Sequence, residues 1–268
     1  MRSILRCLPK RRRIMLENIR ASFPGKSAAE IRAIAEASIV QVGRGIAIFS
    51  HLPDLASALE PQWAAPEGMD HLEAAHRRGK GVILFTAHYA CWEITAAYLM
   101  RTLPRAGAVM RPLDNPKIES LIAELRTAGR GTFIPKNQVI RQGLPFLKQN
   151  GTLGILMDQN FAAGGVFVPF FGRLAATTPI VSILARRSGA AVLPMHGKWD
   201  GWKTRVIIGP EFTLSQNSDP QQAVAGDTAG MTSIIEGWIR DDPTQWLWLH
   251  NRWKRRPQQS DQVWRGTE

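Results

Sequence analysis

The sequence predicts an α/β fold, a central, mostly parallel sheet flanked by helices, on three observations. Short apolar runs at 82–86, 107–110, 133–135, 154–157, 192–196 and 203–208 are separated by segments of helical period. Three of these runs, 82–86, 107–110 and 154–157, end in polar or charged side chains, His88, Arg111 and Asp158. In open parallel sheets the carboxyl ends of strands line the ligand crevice, so this is where chemistry is expected. A chain of 268 residues with 44% hydrophobic composition has enough apolar surface for a substantial core.

Taken in order, residues 2–20 carry seven Lys or Arg against one acid, Glu17, interleaved with Ile4, Leu5, Leu8, Ile14, Met15, Leu16 and Ile19. This is a basic amphipathic segment broken at Pro9, suited to an anionic bilayer or to packing on the protein body. Residues 1–24 are accordingly set apart from a single domain over 25–268. Ser27 and Glu30 form a capping box for a helix reaching about His51, with Ile31, Ile34, Ala35, Ile39, Val42 and Ile46 on one side. A turn-rich stretch from Pro53 to Met69 leads to a short helix over 70–78, where His76 reads as a surface residue.

The central motif is VILFTAHYACWEITAAYLM, residues 82–100: the strand Val82–Thr86 feeds into His88, and Glu93 already stands in an amphipathic helix. The first turn of a helix presents unpaired N–H groups and positive potential, which favours developing negative charge. A His beside a carboxylate is the makeup of a general base; the plain alternative is a half-buried His and a solvated Glu. The spacing is not that of a zinc-binding His pair, and no metal or cofactor is expected.

Gly107–Met110 then delivers Arg111 into a fixed turn, Pro112 to Pro116, that contains Asn115. A helix follows over 117–128, with Arg126 and Arg130 around a glycine-rich turn. Phe133–Pro135 reads as a strand and Gln138–Gln149 as a helix, and Gly154–Met157 delivers Asp158-Gln159-Asn160. Residues 164–172 read as a hinge and an exposed aromatic stretch, either the lining of an acyl pocket or an edge strand. Thr177–Ser188 reads as a helix, Val192–His196 and Lys203–Ile208 as strands, Ser218–Asp227 as a loop and 228–240 as the last helix. The closing segment 243–257 holds three of the nine tryptophans and four basic residues, the makeup of a membrane-interface anchor or of a packed segment.

The formal charge of +12 points to an anionic partner: nucleic acid, anionic membrane, phosphorylated lipid or acidic carrier protein. With Cys7 and Cys91 alone, a disulfide framework is not expected. No run approaches the roughly 18 apolar residues of a spanning helix.

Read together, AHYACWE, VMRPLDNP, LMDQN, GVFVPFFG, SGAAVLP and PTQWLWLHNRWKRRP, with RRRIMLENIRASFP near the start, resemble the bacterial lipid A biosynthesis acyltransferases, the lauroyl and myristoyl transferases. The resemblance covers nearly the whole chain. It implies a glycerolipid-acyltransferase-like fold at the cytoplasmic face of the cell inner membrane, peripheral or monotopic. It also implies acyl transfer from an acyl carrier protein thioester to a hydroxyl of a glycolipid such as a lipid A precursor. By the family's H-x4-D/E motif, His88 is the general base and Glu93 its catalytic partner, with Asp158 the alternative carboxylate for orienting His88. Arg111, Asn115, Arg126 and Arg130 are the implied substrate-binding residues. The family's Gly-His-x-Gly-Asn-Trp-Glu is Ala-His-Tyr-Ala-Cys-Trp-Glu here, a change bearing on helix packing and acceptor fit.

Two rivals remain at this level. One keeps the fold and changes the acceptor to a lyso-phospholipid, an ornithine lipid or another glycolipid. The other is a non-catalytic basic module that binds membrane or nucleic acid; nucleic acid is not the expected partner.

Overall fold

The computed structural model describes residues 9–51, 64–111, 115, 117, 120, 122, 131–161, 164–201, 203–259, 261–264 and 266. The chain forms two compact units. One holds the main sheet, residues 45–156 and 183–213; the other, the terminal unit, gathers 1–44, 157–182 and 214–268.

The sheet unit contains seven strands: β1 (Ala64–Glu67), β2 (Val82–Thr86), β3 (Ala106–Met110), β4 (Thr132–Pro135), β5 (Thr152–Leu156), β8 (Ala191–Asp200) and β9 (Lys203–Ile208). Their order is β1-β9-β8-β2-β5-β3-β4. Every pairing is parallel except the β8–β9 hairpin, so the sheet is mostly parallel, as the apolar runs predict. β2 lies at the centre with all five residues buried, which is why it reads as a continuous apolar run rather than an alternating one. On one face, Val82 and Leu84 join Leu193, Met195, Val206 and Ile208 beneath Leu72 and Ala75 of helix α3 (Met69–His76) and Leu99 of α4 (Trp92–Thr102). Phe85, from the alternate set of β2, meets Phe212 edge to face at 6.2 Å. Helix α5 (Val139–Lys148) precedes β5.

His76 differs from its sequence reading: its Nε2 lies 2.7 Å from the hydroxyl of Thr152 in a part-buried contact that ties α3 to β5. β1 was hidden in the turn-rich stretch because AAPE has little strand character of its own and gains its pairing only from β9.

The terminal unit begins with α1 (Pro9–Ser22) and the part of α2, which runs Ala28–Ser50, as far as Arg44. The capping box of α2 forms as the sequence predicts: Glu30 accepts from the N–H and hydroxyl of Ser27, each at 2.8 Å, and the Ser27 hydroxyl accepts from the Glu30 N–H. Strands β6 (Val166–Phe170) and β7 (Arg173–Thr177) form an antiparallel pair covered by α7 (Pro220–Asp241), whose Ala225 and Ala229 pack on Val166 and Val168. Helix α6 spans Ile180–Ser188.

Two readings are corrected here. The aromatic side chains of residues 166–171 are not exposed: Phe167 and Phe170 are fully buried and Phe171 nearly so, and Pro169 alone of that stretch is exposed. Residues 220–227 are helix rather than loop: Asp219 accepts from the Gln221 N–H, and Pro220 starts the first turn. A polar sequence misleads there because one of its charged residues is satisfied in the interior, the buried Asp227 accepting from Ser182 and from the Ser215 N–H.

Candidate active site

The β2–α4 junction is built by three residues in unusual backbone states. The Tyr89 N–H donates to the Ala87 carbonyl at 2.7 Å, Ala90 takes a left-handed conformation with φ of 50°, and Cys91 stands at the helix N-cap with no side-chain cap. All three are buried, whereas His88 is half-buried at the strand exit. The turn therefore anchors its neighbours in the core and leaves the imidazole partly open. Thr95 returns both its N–H and its hydroxyl to the Cys91 carbonyl at 3.2 Å. This first turn sits so close to β8 that a Cβ on Gly197 would stand 2.7 Å from the Thr95 hydroxyl oxygen. Glycine at 197 is thus what lets the helix start reach its seat.

Trp92 joins the two expected catalytic residues. Its ring meets that of His88 edge to face at 5.1 Å, and its indole N–H donates to one carboxylate oxygen of Glu93 at 3.2 Å. Both His88 and Glu93 are partly open to solvent. The sequence reading passed over Trp92; the signal that could have found it was a large aromatic placed between a His and a Glu at a helix start. Tyr89 points to the other side, with its ring 5.9 Å from that of His196 on β8.

Arg111 leaves β3 at the same sheet edge and is exposed. β5 lies between β2 and β3, so Arg111 departs about 10 Å from the axis of β2, two strand spacings away. Asn115 is exposed, and its side-chain oxygen accepts from the Lys117 N–H at 3.0 Å. Arg126 and Arg130 lie outside the described residues, as does most of the helix expected over 117–128. Among the described residues no group of His, Cys, Asp and Glu is arranged to hold a metal ion.

β5 ends level with β2, Leu156 opposite Thr86. Asp158, two residues further along the chain, belongs to the terminal unit and is 4% exposed. Its carboxylate accepts from the Trp246 indole N–H at 2.8 Å. Arg252, fully buried, donates to the carbonyls of Gln159 at 3.1 Å and Ala176 at 2.6 Å and to the Thr177 hydroxyl. Burial lowers its pKa to about 10, and the Asp158 charge works against that fall, so the guanidinium stays charged at neutral pH.

The closing segment is correspondingly not a free anchor. Trp246 and Trp248 are 1% and 0% exposed and meet edge to face at 4.6 Å. They belong to an aromatic cluster with Phe23, Phe170, Phe171 and Trp253, over which Arg173 stacks at 3.5 Å from the Trp253 ring centre. The segment has little regular secondary structure, yet buried helix side chains bind its carbonyls. Asn18 donates to Trp248 and His250, and Ser38 donates to Trp246.

The apolar face of α1, Ile14, Met15 and Ile19, is likewise buried in the protein, leaving Lys10, Arg11, Arg12, Arg13 and Arg20 exposed. Among the described residues α2 is the one helix long and apolar enough to cross a membrane, by length and composition alone. Its first half buries Ile31, Ile34, Ala35 and Ile39, whereas Val40 and Ile46 further along are 51% and 59% exposed.

Comparison with known proteins is consistent along almost the entire chain. Residues 2–255 match the family model described as bacterial lipid A biosynthesis acyltransferase. The lipid A biosynthesis lauroyltransferase of Escherichia coli (strain K12) is 29% identical over 261 residues, 95% of this chain and 82% of that protein. The palmitoleoyltransferase of the same organism is 29% identical over 93% of this chain and 81% of its own. A phosphatidylinositol mannoside acyltransferase of Mycolicibacterium smegmatis is 24% identical over 69% of this chain and 60% of its own.

Proposed function

Because the chain belongs to the bacterial lipid A biosynthesis acyltransferase family and is an acyltransferase, we propose that it moves a fatty acyl group from an acyl carrier protein thioester to a hydroxyl of a lipid A precursor. The observation that carries this reading is the His88–Trp92–Glu93 arrangement at the exit of the central strand.

His88 takes the proton of the acceptor hydroxyl as its oxygen attacks the thioester carbonyl. The tetrahedral oxyanion is met by the uncapped N-terminal turn of α4 or by a cation such as Arg111. Collapse breaks the C–S bond, and the departing thiolate recovers the proton from the imidazolium. The products are the ester and the free carrier thiol. Glu93, with one oxygen held by Trp92, stabilises the imidazolium or the substrate, and Asp158 is the second carboxylate assigned to the reaction. Arg111, Asn115, Arg126 and Arg130 are assigned to the anionic groups of donor and acceptor.

The work is assigned to the cytoplasmic face of the inner membrane, with the protein bound peripherally or monotopically. The exposed basic row of α1 supports this, because each cation near an anionic leaflet contributes on the order of 1 kcal/mol. The likeness to the mannoside acyltransferase favours one second reading, the same chemistry on a different glycolipid acceptor.

The test offers labelled acyl carrier protein to wild type, His88→Ala and Glu93→Ala with a lipid A precursor, a lyso-phospholipid, an ornithine lipid and a mannosylated lipid. Transfer to the lipid A precursor alone, lost in both variants, is the expected result. Equal rates in all three proteins would overturn the mechanism, and transfer only to another acceptor would overturn the substrate.

A further inference from the structure

Resting on the assignment of Asp158 to the acyl-transfer reaction, we propose that Trp246 is a positioning residue for that reaction, acting through the Asp158 carboxylate. Residues 158–160 belong to no helix or strand, yet the closing segment holds each of them. Asp158 receives the Trp246 indole N–H at 2.8 Å, and the Gln159 carbonyl receives Arg252 at 3.1 Å. The Asn160 N–H donates to His250 Nε2 at 3.0 Å, and its side-chain oxygen accepts from the Arg255 N–H at 3.2 Å.

Trp246 is itself immobilised. Its ring lies edge to face against Phe170 at 5.5 Å and Trp248 at 4.6 Å, and its carbonyl is bound by Ser38 at 2.8 Å. A donor wedged in this way fixes one oxygen of the carboxylate, and the planar group then directs its second oxygen. The indole touches the charged group directly.

Trp248 supplies a matched control. It is as deeply buried, and its indole N–H makes a bond too, a part-buried one to the Pro243 carbonyl within the closing segment. Trp246→Phe and Trp248→Phe therefore remove the same chemical group from the same aromatic cluster, and only the first removes a bond to Asp158.

The experiment measures kcat and KM for both variants, for Asp158→Asn and for Trp246→Phe/Asp158→Asn, well below each protein's Tm, with acyl carrier protein as donor. The expected result is a loss of about tenfold in kcat for Trp246→Phe with KM for the donor unchanged, since small misplacements of site groups cost this much or more. Trp248→Phe keeps the wild-type kcat whatever its Tm. In the Asp158→Asn background Trp246→Phe adds less than about twofold, because both changes act on one interaction. Equal kcat values for the two Trp variants, or losses that multiply in the double variant, would overturn the proposal. An Asp158→Asn protein with wild-type kcat would instead overturn the assignment of Asp158, and the proposal with it.

Discussion

The imidazole of His88 and the indole of Trp92 meet edge to face, with ring centroids 5.1 Å apart, and the same indole donates to Glu93. One side chain thus touches both members of the expected catalytic pair. Trp92→Phe retains the ring contact and removes the donor. Its kcat should fall about two- to tenfold, the worth of one hydrogen bond expressed in a barrier. Trp92→Leu, which loses the edge-to-face contact as well, should fall further. Steady-state rates with a fixed lipid acceptor read the difference, and a Phe variant slower than the Leu variant would contradict it.

Ala90 occupies a left-handed conformation, φ 50°, where the related pattern has glycine. An L residue pays on the order of 1 kcal/mol there, partly offset by the greater unfolded-state entropy of glycine. Ala90→Gly should therefore be neutral or stabilising by up to about 0.5 kcal/mol, and Ala90→Val, β-branched and buried, should destabilise by about 2 kcal/mol or more. Denaturant titration of the three proteins checks the order.

Arg252 is buried without exposure and donates to two carbonyls and a hydroxyl. Arg252→Ala leaves those acceptors and the Asp158 charge without it and should cost about 3–5 kcal/mol. Arg252→Lys should recover little, because an ammonium cannot reproduce the planar fork that reaches all three acceptors. Midpoints of chemical denaturation decide; a Lys variant as stable as wild type would refute the fork argument.

The exposed cations of α1 can be tested without disturbing its buried face. Deleting the helix would remove Asn18 from the carbonyls of Trp248 and His250, so charge is the cleaner variable. Lys10→Gln/Arg12→Gln/Arg13→Gln should bind vesicles containing anionic lipid at least about tenfold more weakly, with wild-type binding itself falling as salt rises. Co-sedimentation unchanged by the three substitutions would shift membrane binding to another surface.

Much of the sheet was legible from apolar pattern: β2 is buried on both faces and reads as a continuous apolar run, whereas β9 alternates between buried and more open residues. β1 was not, since AAPE becomes a strand only beside β9, and the start of α7 was not, since its Asp227 finds its partners outside the helix. His88 and Glu93 could be marked by spacing at one junction, a local property. Trp92 needed the side-chain directions that place its ring on one neighbour and its N–H on the other.

The sequence by itself determined the α/β class, the family and the junction where His88 and Glu93 stand, because period, motif order and local spacing are written along the chain. Only the tertiary structure decided the fate of the basic helix and the tryptophan-rich close. Both are amphipathic, and amphipathicity says that an apolar face will be covered without saying by what. Here the protein covers both itself, burying Ile14, Met15 and Ile19 of α1 and seating Trp246 against Asp158, because chain segments 88 to 230 residues apart fold into one unit.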